Sequence, residues 1–262
     1  MLLVAAGDAH GRLDRLYADV LAFERKLGRT FAHVLHVGDL GVWPDPTRLD
    51  KATREHDGAG DFPTWLAERR AAPRPTTFIQ GNHEDFAWLV GREDGEILPG
   101  LRYLANGSAF SLSDAASSQA CKAAVVRIGG VGGCFGPSSF ERPSRALRGG
   151  GARRHYAREE LERLCSAAPL DVVLFHDAPK GIEFVKRMAS GAERRYVSQA
   201  EGLSEVLSRV RPKLCFFGHH HTSVDVFVEG VRCIGLNAVG YPGNLVAFDL
   251  EAGTLARWPA HP

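Results

Sequence analysis

In Thr77-Phe78-Ile79-Gln80-Gly81-Asn82-His83-Glu84-Asp85, a β-branched and aromatic run stops at a glycine, and side chains able to hold a metal or move a proton follow at once. A site loop leaves the end of a buried strand in this way. Gly81 offers the backbone freedom that lets Asn82 and His83 turn back over the sheet edge. Taken alone, Gly81-Asn82-His83-Glu84 also reads as an ordinary turn. The two readings separate on whether other strand ends carry similar cargo.

Four do. Upstream, the apolar run Leu2 to Ala6 ends in Gly7-Asp8-Ala9-His10-Gly11. Asp8 and His10 are two apart, so on an extended chain they share a side and offer one ion an oxygen and a nitrogen. Asp8 is equally placed to cap the helix that Leu13, Leu16, Tyr17, Val20, Leu21 and Leu27 predict between Arg12 and Arg29. A second run, His33 to Val37, ends in Gly38-Asp39-Leu40-Gly41; His33 and His36 lie inside it and read as packed histidines. Downstream, Asp171 to Phe175 ends in His176-Asp177, and Leu214 to Phe217 ends in Gly218-His219-His220-His221. On an extended segment His219 and His221 share a face and His220 points away.

Between these junctions the signals are plainer. Val42 to Pro75 is rich in proline, glycine and charge and reads as a surface excursion with one helix near Trp65. A short helix after Asp85, a strand at Leu101 to Leu104 and a polar turn at Ser113 to Gln119 are expected. Ala124 to Ile128 predicts a strand leading into Gly129-Gly130-Val131-Gly132-Gly133, a tight turn with close backbone approach and not a P-loop, because the Gly-Lys-Ser/Thr ending is missing. Helices are expected at Arg158 to Cys165 and Ser198 to Val210, and alternating short strands after Val224 resemble an antiparallel edge.

The chain has 262 residues, 44% of them hydrophobic, and a net charge of +1, enough for a substantial core and no overall attraction to nucleic acid or membrane. No run approaches transmembrane length, and the opening apolar segment is too short for a secretion signal, so the expected location is cytoplasmic. Five scattered cysteines without a Cys-x-x-Cys pair argue against disulfides and a thiolate zinc site. With no repeat or linker, residues 1–262 read as a single domain. Basic charge concentrates in Phe140-Glu141-Arg142-Pro143-Ser144-Arg145-Ala146-Leu147-Arg148 and Arg153-Arg154-His155-Tyr156. That stretch is either a phosphate clamp with Phe140 and Tyr156 as stacking surfaces or a solvated loop.

In an open α/β sheet, sites collect outside the carboxyl ends of strands, so these residues have a physical reason to converge. Oxygen and imidazole without sulfur suit manganese, iron, zinc or nickel, with manganese favoured here. There are too many ligands for one ion. Two divalent ions about 3.5 to 4 Å apart with a shared carboxylate fit the count and the chemistry of phosphoester hydrolysis.

The order Asp8-x-His10, Gly38-Asp39, Gly81-Asn82-His83-Glu84, His176, Gly218-His219-x-His221 resembles the calcineurin-like metallophosphoesterase superfamily. The resemblance implies a four-layer αββα sandwich of two mixed sheets flanked by helices. It also implies that Asp8, His10 and His221 hold one metal, Asp39 bridges, and Asn82, His176 and His219 hold the second, with His83 acting on the substrate. Gly38-Asp39-Leu40-Gly41-Val42-Trp43 lacks the arginine of the protein serine/threonine phosphatase block. Pro75 to Ile79, Val126 to Gly130, Phe140 to Pro143 and Leu174 to Asp177 look instead like the catalytic domain of RNA lariat debranching enzymes. Many of those have cysteine at the position of Asp8 and a longer C-terminal region.

The expected activity is therefore a phosphodiesterase on a nucleic-acid or nucleotide diester, with a bridging hydroxide as nucleophile and His83 protonating the leaving group, oriented by Glu84 or Asp85. Arg142, Arg145, Arg148, Arg153 and Arg154 would steer the polyanion. The alternatives are a phosphomonoesterase for a small molecule and a catalytically silent scaffold, which should have lost ligands. Nothing points to a protein partner.

Overall fold

The computed structural model describes residues 1–55, 58–113, 125–147, 150–187 and 193–259. Its strands run β1 Leu3–Ala6, β2 His33–His36, β3 Thr76–Ile79, β4 Glu96–Leu98, β5 Leu101–Leu104, β6 Ala109–Ser113, β7 Val125–Val131 and β8 Val172–Phe175. They continue with β9 Glu183–Arg187, β10 Glu193–Val197, β11 Leu214–Phe217, β12 Val224–Val228, β13 Val231–Gly235, β14 Leu245–Asp249 and β15 Thr254–Trp258. The helices are α1 Leu13–Leu27, α2 Lys51–Glu55, α3 Phe62–Glu68, α4 Phe86–Leu89, α5 Pro137–Phe140, α6 Ser144–Leu147, α7 Arg158–Ser166 and α8 Glu201–Val210.

Two mixed sheets stack face to face. The first has the order β15-β14-β1-β2-β3-β5-β4, the second β12-β13-β11-β8-β7-β6. In each, four central strands are parallel and the outer ones antiparallel. Period-two burial explains the layering. Leu3, Ala5, Leu35 and Ile79 meet Ile128, Val172, Leu174 and Phe216 between the sheets. Val4, Val34 and Phe78 turn outward to Leu16, Tyr17 and Val20 of α1 and Trp65 of α3. Val173, Cys215 and Phe217 turn outward to Leu161 and Leu164 of α7 and Leu203, Val206 and Leu207 of α8. Buried on both faces, the central strands read as unbroken apolar runs, which is why they stood out in the sequence.

Two expectations need adjustment. Gly129 and Gly130 belong to β7, which runs on to Val131, and the turn begins at Gly132. A Cβ on Gly130 would lie 2.7 Å from the Ile79 methyl, and one on Gly132 would lie 2.0 Å from the Gln80 carbonyl, so these glycines serve sheet-to-sheet approach. The C-terminal strands form two different edges: β12 pairs with β13 on the second sheet, whereas β14 and β15 extend the first beside β1. Most of the polar turn expected at Ser113 to Gln119, together with Cys121 and Arg148, lies outside the described residues. Among the described residues no helix is long and apolar enough to cross a membrane.

Candidate metal centre

β1, β2 and β3 of one sheet and β8 and β11 of the other end at a common rim, and the loops leaving them carry Asp8 and His10, Asp39, Asn82 and His83, His176, and His219 to His221. Donor atoms of Asp8, His10 and His221 lie within 4.8 Å of one another, as do those of Asp8, Asp39 and His176. Asp8 belongs to both triads. Its Oδ2 is 3.0 Å from His221 Nε2, which is itself 3.0 Å from His10 Nε2. On the other side His176 Nε2 is 2.9 Å from Asn82 Oδ1 and 3.5 Å from Asp39 Oδ2. The His219 ring meets His176 edge-on at 5.1 Å, and its donor atom also gathers with those of Asp177 and His220.

Local backbone geometry builds this convergence. His10, Asp39, His219 and His221 have φ of 46°, 50°, 64° and 49°, four of the eight non-glycine residues in the left-handed region among those described. Each costs on the order of 1 kcal/mol or more, and such strain collects at functional sites. The ligand pairs therefore do not converge by extended-chain alternation. The glycines before them are required mainly by space. A Cβ on Gly81 would lie 1.9 Å from Asp39 Oδ1, and one on Gly218 would lie 2.1 Å from Asp8 Oδ1. Gly81 itself is not in the left-handed region, so close approach and not turn freedom is its reason.

The electrostatics suit cations. Burial opposes a charged His176, yet the carboxylates of Asp39 and Asp8 outweigh it and raise its pKa to about 10. The Val37 carbonyl, 2.9 Å from His176 Nδ1, can only accept, so Nδ1 carries a hydrogen and Nε2 faces the site. Asp39, despite burial, is held well below the usual carboxylate range by His176. Burial takes His219 down to about 4, leaving a neutral imidazole, the form that ligates. Buried carboxylates, an amide oxygen and imidazoles without sulfur match hard or borderline divalent cations.

His83 stands beside the triads. Its backbone N donates to Asp39 Oδ1 at 2.7 Å, its carbonyl accepts from Trp43 Nε1 at 3.1 Å, and its Nδ1 is 3.3 Å from Thr53 Oγ1. The two carboxylates expected to orient its imidazole are engaged elsewhere. Glu84 turns inward and accepts from the backbone of Leu40 and Val42, while Asp85 caps α4 and pairs with Arg48. Trp43 and Thr53 come from the stretch read as a surface excursion, where sequence gave no cue.

The basic stretch separates into parts. Arg142 and Arg145 are exposed and Arg148 lies outside the described residues. Arg153 is 9% exposed and pairs with Glu160 at 2.8 Å, so it does not steer substrate. Phe140 and Tyr156 are 7% and 0% exposed and pack against each other, which removes them as stacking surfaces.

A family model for calcineurin-like phosphoesterases matches residues 1–223. The chain belongs to the calcineurin-like phosphoesterase family. Within this phosphoesterase family it is 23% identical to the lariat debranching enzyme of Entamoeba histolytica over 95% of this chain and 72% of that one. It is 24% identical to the Arabidopsis thaliana and Schizosaccharomyces pombe lariat debranching enzymes, covering 87% and 85% of this chain. It spans 56% and 48% of their lengths, about half. The crystal structure of TT1561 from Thermus thermophilus shares the fold with a TM-score of 0.57 at 14% identity, over 98% of this chain and 97% of that one. The two-sheet phosphoesterase architecture expected from the sequence is thus the observed one.

Proposed function

We propose that this phosphoesterase is a dinuclear-metal phosphodiesterase acting on a nucleic-acid or nucleotide diester, as its debranching relatives' names suggest. The observation that carries the reading is the pair of donor triads sharing Asp8, with His83 fixed beside them. Asp8, His10 and His221 would hold one divalent cation, and Asp39, Asn82, His176 and His219 the second, with Asp39 bridging and manganese the first metal to test. When bound, the pair supplies an activated water nucleophile and neutralises charge growing on the phosphoryl oxygens. The protein's own contribution is to hold the donors. The Val37 carbonyl fixes His176, and Glu84 fixes the loop that follows Asp39. His83 protonates the departing oxygen or hydrogen-bonds the phosphate, a role worth about 10² to 10⁴ in rate.

The test is hydrolysis of bis-p-nitrophenyl phosphate against p-nitrophenyl phosphate by chelator-stripped protein reloaded with Mn²⁺, with a 2',5'-linked oligonucleotide as third substrate. Preference for the diester and cleavage of the oligonucleotide support the reading. Preference for the monoester, with the oligonucleotide intact, makes the protein a small-molecule phosphatase.

A further inference from the structure

β9 and β10 form a two-stranded ribbon outside both sheets, paired from Glu183 opposite Val197 to Arg187 opposite Glu193. A lone two-stranded ribbon is marginally stable in water, so its anchor is informative. Phe184 stacks on the His220 ring at 4.0 Å and on Tyr196 at 5.4 Å. The Tyr196 hydroxyl is 3.0 Å from His220 Nδ1, and His220 Nε2 is 3.2 Å from Asp177 Oδ1. His220 lies between two candidate ligands, and Asp177 follows a third. The ribbon is thereby fastened to the loops that hold the metal centre.

Its two faces differ in charge. Strand alternation groups Glu183, Val185, Glu193, Arg195 and Val197 on one face, where Arg195 stands among acids. The other face, the one that meets His220, groups Phe184, Arg194 and Tyr196, with a base and no acid. Arg194 is exposed, and its charge acts on the Tyr196 phenol. Among the described residues no carboxylate pairs with it, unlike Arg153 or Arg158, which are matched by Glu160 and Glu141. Lysines and arginines often guard ribbon edges against pairing, but that purpose is indifferent to face. Here the unbalanced charge sits on the face turned to the metal ligands.

We propose that this ribbon is a backbone-tracking arm, in which Arg194 takes a phosphate neighbouring the scissile one in a single-stranded oligonucleotide. The inference deepens the phosphodiesterase reading and rests on it for the position of the scissile bond. A cationic groove along the backbone is the general device for single strands, and guanidinium suits phosphate because it donates bidentately.

The opposite-face neighbour supplies the control. Binding of a fluorescein-labelled 12-mer of thymidylate is measured by anisotropy with chelator-treated protein, so no turnover intervenes, over a range of KCl concentrations. Arg194→Ala should weaken binding by about threefold to tenfold and flatten the slope of log affinity against log salt by about 0.7, the loss of one phosphate contact on a single strand. Arg195→Ala should change affinity by less than about twofold. Equal losses in the two variants would mean diffuse surface charge and overturn the proposal, as would an unchanged Arg194→Ala or a wild type that does not bind. Hydrolysis of bis-p-nitrophenyl phosphate by Mn²⁺-loaded wild type is run alongside. Its absence would refute the catalytic reading while the binding comparison still decides the arm.

Discussion

Glu84 Oε2 accepts a hydrogen bond from the Val42 backbone N at 2.6 Å, while Oε1 takes the Leu40 N at 2.9 Å. The residue that follows the Asn82-His83 pair thus clasps the turn that follows Asp39. Two loops from adjacent parallel strands are tied by one buried side chain that is 1% exposed. Burial first, and then the negative charge of Asp39, push its pKa up to about 8. Glu84→Gln keeps the shape but turns one backbone N–H toward an amide donor. An unsatisfied buried donor costs about 1 to 3 kcal/mol, which for a chain of this size lowers the melting temperature by roughly 3 to 10 °C. Calorimetry checks it, and metal content should fall with the Asp39 loop loosened. An unchanged melting temperature would mean the clasp contributes nothing.

His83 touches Asp39 through its backbone and Thr53 through its ring. His83→Ala should leave metal content intact and lower turnover of a diester by about 10² to 10⁴. Thr53→Val keeps the volume and removes the hydroxyl beside Nδ1. Loss of a hydrogen bond worth about 0.5 to 1.5 kcal/mol predicts a turnover reduced by roughly twofold to tenfold with KM little changed. Stopped-assay kinetics on both variants, with metal analysis, separates the two roles. Full activity in His83→Ala would remove that residue from the chemistry.

The parallel strands and the residues at their ends were legible because burial on two faces writes an apolar run, and a site written at its end interrupts it with polar residues. Asp8, Asp39, His176 and His221 announce themselves this way. Thr53 and Trp43 do not, because each reaches His83 through one hydrogen bond made across the fold from a segment with no periodicity. The ribbon was missed for a related reason. Phe184 and Tyr196 alternate with charges like any exposed hairpin, and only the pairing register shows that Arg194 shares the His220 face. The arginine stretch misled in the opposite direction, since sequence marks Arg153 as basic but not as buried against Glu160.

His36 ends β2 with 0% exposure, and neither ring nitrogen has a hydrogen-bond partner among the described residues. Burial lowers its pKa to about 4, from about 6.5 for an ordinary histidine. The fold therefore disfavours the protonated ring. Its contribution is fully present above about pH 6.5 and is lost as pH falls toward 4, because the unfolded chain takes up the proton first. His36→Leu should flatten the decline in unfolding free energy between pH 7 and 5, read from urea melts. At pH 7 it should cost little or raise stability, since it replaces an unpartnered polar ring by an apolar side chain. A variant with the same pH slope as wild type would show that His36 does not titrate across this range.

Asp8 is common to the two donor triads, whereas His221 belongs to one of them. The proposed ligand sets then make an asymmetric forecast for metal stoichiometry. With about two Mn²⁺ per chain expected in wild type, His221→Ala should retain about one after gel filtration, because Asp39, Asn82, His176 and His219 remain. Asp8→Ala should fall below one, since it takes an anionic oxygen from the first site and removes a carboxylate gathered with Asp39 and His176 at the second. Bound metal also stabilises the fold by mass action, by about 2.7 kcal/mol at a hundredfold excess over the dissociation constant. Chelation should accordingly lower the wild-type melting temperature by roughly 5 to 10 °C, with a smaller drop in His221→Ala and almost none in Asp8→Ala. Equal metal content in the two variants would mean that Asp8 acts on the first ion alone and that its place beside Asp39 and His176 adds nothing to the second site.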